Sequence, residues 1–516
     1  MIPGVPPRVG SRAERLSHPH VDAIAIAAAE QHKVCTRPVI MRVHDNTTGT
    51  VTYVGTPCGN TVESACPTCA RKAKALRMTQ CREGWHAETE PFIQARTATN
   101  EEKALATERA DLVAEYRQAR QKDRESQRAR EMRDAIRTID ARLRLLGARG
   151  RLPDPDAATK PTRHRSTKRR QDAPDLPRKK VSKTTVGRQY AGKFRPSMFV
   201  TLTCDSYGRV RVDGTPVDPT AYEYRRAARD AVHFAALIDR WWQNLRRVIG
   251  WNAQYFATVE PQKRAAPHLH AAGRGSIPHE ILRQVTEATY HQVWWPNHDE
   301  PIYTTDHCPR WDPDARTFVD PDTAIPLRNW NDAVEGLADP AHVVRFGKQV
   351  HSKGILGGTH DAGRHIGYLT EYLMKSPAEL VDAETERQRA HHDALHKEPV
   401  RTPCSPRCPV WLIYGIQPLG ATSRTTPGRC NARAHRRATL GLPGRRVLVS
   451  RQWSGKTLTD HRADRADFVR QLLADIGIDK PKPDPSRYTC EPARPSDPNV
   501  PRRMSVLLAE IAQRTR

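Results

Sequence analysis

Two groups of cysteines, about 340 residues apart, constrain this chain more than any other feature. Cys35, Cys58, Cys66, Cys69 and Cys81 stand in turn-rich sequence such as Thr56-Pro57-Cys58-Gly59-Asn60, and Cys404, Cys408 and Cys430 recur far downstream. No apolar run approaches the roughly 18 residues of a membrane span. The Ala23 to Ala29 stretch lacks a cleavage site, so a secretory signal is not expected and the cytoplasm is the expected compartment. In that reducing setting, grouped cysteines point to metal rather than to a disulfide framework. Cys66-x-x-Cys69 is the two-residue knuckle that aims two thiolates at one Zn²⁺, and Cys58 and Cys35 complete a structural tetrahedral set. Cys81 in place of Cys35, or free thiols, are the alternatives. Cys404, Cys408, Cys430 and His435 have looser ligand-like spacing and make a candidate second zinc site.

Charge supplies the next constraint. Lys and Arg number 84 against 58 Asp and Glu, a formal charge of +26 over 516 residues, which points to a polyanionic partner. Only 37% of residues are hydrophobic and 41 are Pro, so the cores must be local, separated by solvated segments. The expected organisation is a Cys-rich zinc-ribbon-like module over 1–90, a charged helical segment over 99–147, a basic flexible linker over 148–195, a catalytic domain over 196–380 and a small DNA-binding part over 395–516. A capping box, Thr99 with Glu102, opens the helical segment, and Met132, Ile136, Ile139, Leu143 and Leu146 form one apolar stripe of a long helix or helical hairpin. Between Lys160 and Arg195, 13 basic residues face only Asp172 and Asp175, as in a tether with salt-sensitive affinity for phosphates.

From Phe199 onward the order is strand, helix, strand, strand, helix. Phe199–Thr203, Gln254–Glu260 and His268–Ala272 alternate as strands, and Phe234, Ile238, Trp241, Trp242 and Leu245 recur at helical spacing. A helix is expected from Pro278 through Trp295, a strand over Val343–Val350 and a helix over Ile366–Lys375. This is an α+β pattern, an antiparallel sheet with helices on one side. In Pro267-His268-Leu269-His270 the two imidazoles face one side of a strand while Leu269 and Ala271 pack the other. A hairpin through Pro261–Pro267 returns them beside Glu260, and two nitrogens plus one oxygen with open positions suit a catalytic metal. In Tyr368-Leu369-Thr370-Glu371-Tyr372-Leu373-Met374-Lys375, a helix would put both phenols and Lys375 on one face. A phenol can attack a phosphodiester and store the bond as an ester, with Lys375 offsetting developing charge. Ser450–Thr457 ends like a P-loop, but Ser450 replaces the leading Gly and no acidic strand follows, so ATP binding is not expected.

The strand at Phe199, the His-hydrophobe-His and the Tyr-x-x-x-Tyr-x-x-Lys segment together resemble the HUH endonucleases that initiate rolling-circle replication, over about 190–380. With Val259-Glu260-Pro261-Gln262-Lys263-Arg264-Ala265-Ala266-Pro267-His268-Leu269-His270 and the early cysteines, the chain looks like the replication initiator proteins of actinobacterial plasmids and integrative elements. The resemblance implies a five-stranded antiparallel sheet with the histidines on a central strand and Thr201–Thr203 in a structural motif. It also implies Mg²⁺ or Mn²⁺ on His268, His270 and Glu260, and Tyr372 and Tyr368 as nucleophiles that form a 5′-phosphotyrosine. Origin DNA, single-stranded or extruded, would be the substrate, and a host helicase and polymerase the partners. Glu371 departs from relatives that carry Lys there, leaving Lys375 for charge complementation. A conjugative relaxase or transposase of the same chemistry, and a non-catalytic zinc-dependent DNA-binding repressor, are the rival readings.

Overall fold

A computed structural model describes residues 20–85, 87, 89–91, 98–122, 126–147, 152–156, 175–186, 196–304, 306–381, 383–479 and 487–515, without the side chains of 121, 122 and 372. Much of the expected basic linker, 157–174 and 187–195, lies outside the described residues. In chain order the principal elements are α1 (Val21–Gln31), β1 (Val39–Asp45), β2 (Val51–Thr56), α2 (Pro67–Trp85), α3 (Asn100–Lys122), α4 (Gln127–Leu145), β3 (Pro196–Cys204) and α5 (Tyr224–Ile249). They continue with β4 (Tyr255–Pro261), β5 (Pro267–Arg274), α6 (His279–Ala288), β6 (Tyr290–Val293), β7 (His342–Leu356), α7 (His360–Glu371), α8 (Glu386–Arg401), β8 (Val447–Val449), α9 (Leu458–Asp475), β9 (Tyr488–Pro492) and α10 (Arg503–Thr515). No described helix is long and apolar enough to cross a membrane.

The centre is a six-stranded sheet in the order β8-β4-β5-β3-β7-β6, every neighbour antiparallel. Period-2 alternation divides it into two faces. Met198, Val200, Leu202, Ala257, Val259, Leu269 and Ala271 point one way and meet Phe234, Leu237, Ile238, Trp241, Trp242 and Leu245 of α5. The aromatic stripe of α5 is therefore core. That helix ends where Gly250 takes a left-handed φ of 79°, which only glycine adopts without penalty.

Helices cover both faces, not one. On the second face Phe256 and Ala272 are sealed by Cys81 and Trp85 of α2, by Ala362, Ile366 and Leu369 of α7, and by Trp453. The resemblance implied five strands; β8, pairing Val447 with Thr258, adds a sixth at the edge. Of the helix expected through Trp295, only His279–Ala288 forms, because Tyr290–Val293 is drawn out to pair with β7. The Trp453 indole, inside the P-loop-like stretch, donates to Gln80 O at 3.2 Å, and Lys456 Nζ is held by Asp464 (2.8 Å) and Glu83 (3.4 Å).

Both chain ends build one further sheet. β9 pairs with β1, Met41 opposite Pro492, and β1 pairs with β2. Leu507 of α10 packs on Ala25 and Ala29 of α1 and on Val34. The residues beyond 395 thus feed both of these sheets and, through Ile416–Gln417, a two-stranded parallel pair with Arg328–Asn329.

The described residues between 93 and 170 form a compact unit of their own. There α3 and α4 lie against each other, with Tyr116, Ala129 and Ile136 at the centre and Met132 beside them. Thr99 and Glu102 make the reciprocal capping bonds, Thr99 N–H to the Glu102 carboxylate at 2.8 Å and Glu102 N–H to Thr99 Oγ1 at 3.2 Å.

Candidate functional site

Strand register puts the predicted histidines and carboxylate on the second face. Glu260 of β4 lies directly opposite His268 of β5, and on the other side His268 faces Thr203 and His270 faces Thr201 of β3. Side chains directly opposite on one face have Cβ atoms about 5 Å apart, so these five residues form one polar patch. Thr201 Oγ1 is 3.0 Å from His270 Nδ1, and Thr203 Oγ1 is hydrogen-bonded to His268 Nδ1. With Nδ1 engaged, each ring turns its Nε2 away from the sheet, the way a second-shell partner orients a metal-binding imidazole.

Helix α7 brings the first tyrosine over this patch. Tyr368 Oη is 3.2 Å from His270 Nε2, the ring meets His270 edge-on at 4.9 Å between centroids, and 40% of the residue stays exposed. Phe199 packs against His270, His365 and Tyr368 at 5.7, 5.0 and 5.9 Å, fixing the ring from below. The α-helix stops at Glu371, and Tyr372–Met374 tighten into a 3-10 turn. The single helix expected through Lys375 thus ends four residues early, and Lys375 is exposed after the turn. The Tyr372 side chain lies outside the described set.

Electrostatics set this patch apart from a satisfied core. Burial lowers the His268 pKa to about 4, helped by the positive Arg264 and by His351, and lowers His270 to about 3, helped by His268. Burial raises Glu260 to about 7; Arg446 and the Thr258 hydroxyl oppose that shift and Glu371 adds to it. Glu260 is 6% exposed and its Oε1 has no hydrogen-bond partner. A buried carboxylate oxygen left unpaired is costly unless something else binds it. Two neutral imidazoles with outward Nε2 atoms and an orphaned carboxylate oxygen suit a divalent cation. Their three ligand atoms do not all lie within 4.8 Å of one another; among the described residues only the two cysteine clusters do so.

Both clusters form as the spacing indicated. Cys35, Cys58, Cys66 and Cys69 converge, with Cys35 Sγ 3.8 Å from Cys66 Sγ and accepting from Cys58 N–H at 3.3 Å. Cys81 lies apart, buried between α2 and the central sheet. Cys404, Cys408, Cys430 and His435 also converge, with Cys408 Sγ 3.4 Å from His435 Nε2 and Cys404 Sγ 4.0 Å from Cys430 Sγ. His435 Nδ1 lies 2.8 Å from Pro399 O, the bond that fixes Nε2 as the free acceptor. Each set could hold a zinc ion.

Arg446 is the residue that the sequence does not flag. Its Nε donates to Val259 O at 3.1 Å, a second guanidinium nitrogen donates to Lys375 O, and Glu260 and Glu379 attract its charge. Arg446 stands 186 positions beyond Glu260 and just before β8, so no local spacing connects the two.

Residues 23–513 match the protein family described as RepSA, replication initiator protein of pSAM2. No curated protein and no solved structure matches.

Proposed function

The chain belongs to the pSAM2 family of replication initiator proteins, and from that premise we propose that it nicks and rejoins one DNA strand at the origin of a plasmid or integrative element. The reaction is a tyrosine transesterification of the HUH kind. A phenol oxygen attacks the scissile phosphorus, the bond to the 3′ oxygen breaks, and the 3′ oxygen leaves with a proton, giving a 5′-phosphotyrosine and a 3′ hydroxyl for a polymerase. Rejoining is the reverse attack. Tyr368 and Tyr372 are the nucleophiles, and Lys375 offsets negative charge on the phosphate. Glu260, His268 and His270 would hold Mg²⁺ or Mn²⁺, which supplies polarisation of the phosphate oxygens.

One observation carries this reading: the Tyr368 hydroxyl, half-exposed, stands 3.2 Å from His270 on the polar face that holds Glu260. With its Nε2 given to the metal, His270 would mark where the phenol meets the polarised phosphate and would not take the proton, which ends on the leaving 3′ oxygen. The charge of +26 favours origin DNA, single-stranded or extruded, as partner, and host helicase and polymerase complete the replication. The cytoplasm, where such DNA resides, is the compartment this activity requires.

The test is incubation of the protein with labelled single-stranded DNA from its own replicon, with Mn²⁺ or EDTA, and detection of covalent adducts on a denaturing gel. Metal-dependent adducts that vanish in the Tyr368→Phe/Tyr372→Phe double variant are expected, and the single variants assign the first cut. Tight, salt-dependent binding without adducts on any origin fragment would replace this reading with the repressor.

A further inference from the structure

The end of a helix leaves carbonyl groups without intrahelical partners. In the tyrosine segment those groups are met by parts of the chain remote in sequence. Met374 O accepts from Glu63 N–H at 2.7 Å, and Lys375 O accepts from the Arg446 guanidinium. Next to them, Ser64 Oγ donates to Glu379 Oε1 at 2.5 Å while the other oxygen of that carboxylate accepts from Ser376 N–H. Glu63 and Ser64 belong to the short loop between Cys58 and Cys66, both members of the first cysteine cluster. That loop runs directly into α2, whose Cys81 and Trp85 share a core with Ile366 and Leu369 of α7.

We propose that the first cluster, with zinc bound, is the positioning device for the tyrosine turn. Four sulfur ligands fix both ends of the loop, the fixed loop caps Met374 and braces Glu379, and the capped turn sets the backbone of Tyr372 just beyond the helix that carries Tyr368 over the histidines. Zinc binding is folding free energy for so small a loop, which has no packed core of its own beyond the cysteines. Without the metal the loop frays, and the turn loses the donor for Met374 O. Misplacing a nucleophile by about 1 Å costs on the order of a hundredfold in rate. The first cluster thereby acts on cleavage without touching DNA or the reacting atoms.

Hydrogen exchange on the full-length protein reads the cap directly, since the Glu63 and Ser376 amides are the donors concerned. Zinc removal by a chelator, or Cys66→Ser, is expected to speed exchange of both amides by about tenfold or more while β3 and β5 keep their protection. Cys66→Ser, assayed with Mn²⁺ present, slows adduct formation at saturating DNA by about ten- to a hundredfold without changing origin affinity. Ser64→Ala, which leaves every thiolate in place, produces a smaller change in the same two readouts and decides the matter if Cys66→Ser does not fold. Unchanged exchange at Glu63 and Ser376 after metal loss would overturn the proposal. The adduct arm rests on the nicking function proposed above, whereas the exchange arm does not, so a protein that makes no adducts at all would sink that function and still leave the cap to be decided.

Discussion

Leu269 and the two histidines beside it are consecutive residues with opposite surroundings. Leu269 is fully buried in the apolar cluster that holds the tryptophans of α5. His268 and His270 look the other way, onto threonine hydroxyls, a tyrosine and a carboxylate whose Oε1 finds no partner. One face lowers the free energy of the fold; the other accepts buried polar groups whose ionisation burial opposes. The difference teaches where to look for chemistry in a sheet of this kind: on the face that does not satisfy itself.

The sharpest way to break this contrast is to exchange the consequences of neighbouring substitutions. His268→Ala with His270→Ala should reduce metal-dependent adducts to the EDTA background, while urea unfolding moves little, because two imidazoles that burial disfavours are being removed. Leu269→Ala should do the reverse to stability, at about 2–5 kcal/mol for a buried leucine, visible as a lower urea midpoint with unchanged slope. If the histidine variant were as unstable as the leucine variant, the polar face would be structural and the contrast would fall.

How much of the fold and of the site is legible in the sequence follows the same division. The strand at Phe199, the histidine strand and the apolar stripe of α5 are local periodicities, and each appears with its expected face inward. Ligand spacing likewise marks both cysteine clusters, since the fold brings the named residues together. What stays hidden depends on contacts across long separations. Arg446 reaches Lys375, β9 crosses the whole chain to pair with β1, and Glu63 caps Met374. None of these leaves a periodic trace. The turn after Glu371 likewise has its Met374 and Lys375 carbonyls met by Glu63 and Arg446, contacts that leave no local trace.

A smaller effect sharpens the role of the threonines. Thr203→Val keeps the β-branched shape of the strand but removes the hydroxyl bonded to His268 Nδ1. Losing a group that orients a metal-binding imidazole costs about 10–100-fold in metal affinity. Mn²⁺ titration by calorimetry should show that loss with unfolding stability nearly unchanged. A stability loss with intact affinity would instead place Thr203 in the structural half of the comparison.

The most diagnostic effect is in pH. Glu260 holds its proton in the folded protein up to a pKa of about 7, against an ordinary 4.5, so between these values the folded state binds a proton that the unfolded state releases. Glu260 alone should therefore subtract about 3 kcal/mol from the stability of the metal-free protein as pH rises from about 4.5 to about 7. His268 and His270 give the opposite slope, since their lowered pKa values make stability rise up to about pH 6.5, so the Glu260 part is read as the difference between wild type and Glu260→Gln. Metal binding runs the opposite way. Binding requires the carboxylate, so apparent Mn²⁺ affinity should climb about tenfold per pH unit up to 7 and then flatten. The histidines cannot supply that slope, because with pKa values near 4 and 3 they are already neutral across the range. Glu260→Gln should flatten the Mn²⁺ curve and remove the falling component from the stability curve, leaving the rise that the two histidines cause. If the variant kept the wild-type slope in Mn²⁺ affinity, the titrating group would lie elsewhere and the orphaned oxygen of Glu260 would not be waiting for a metal.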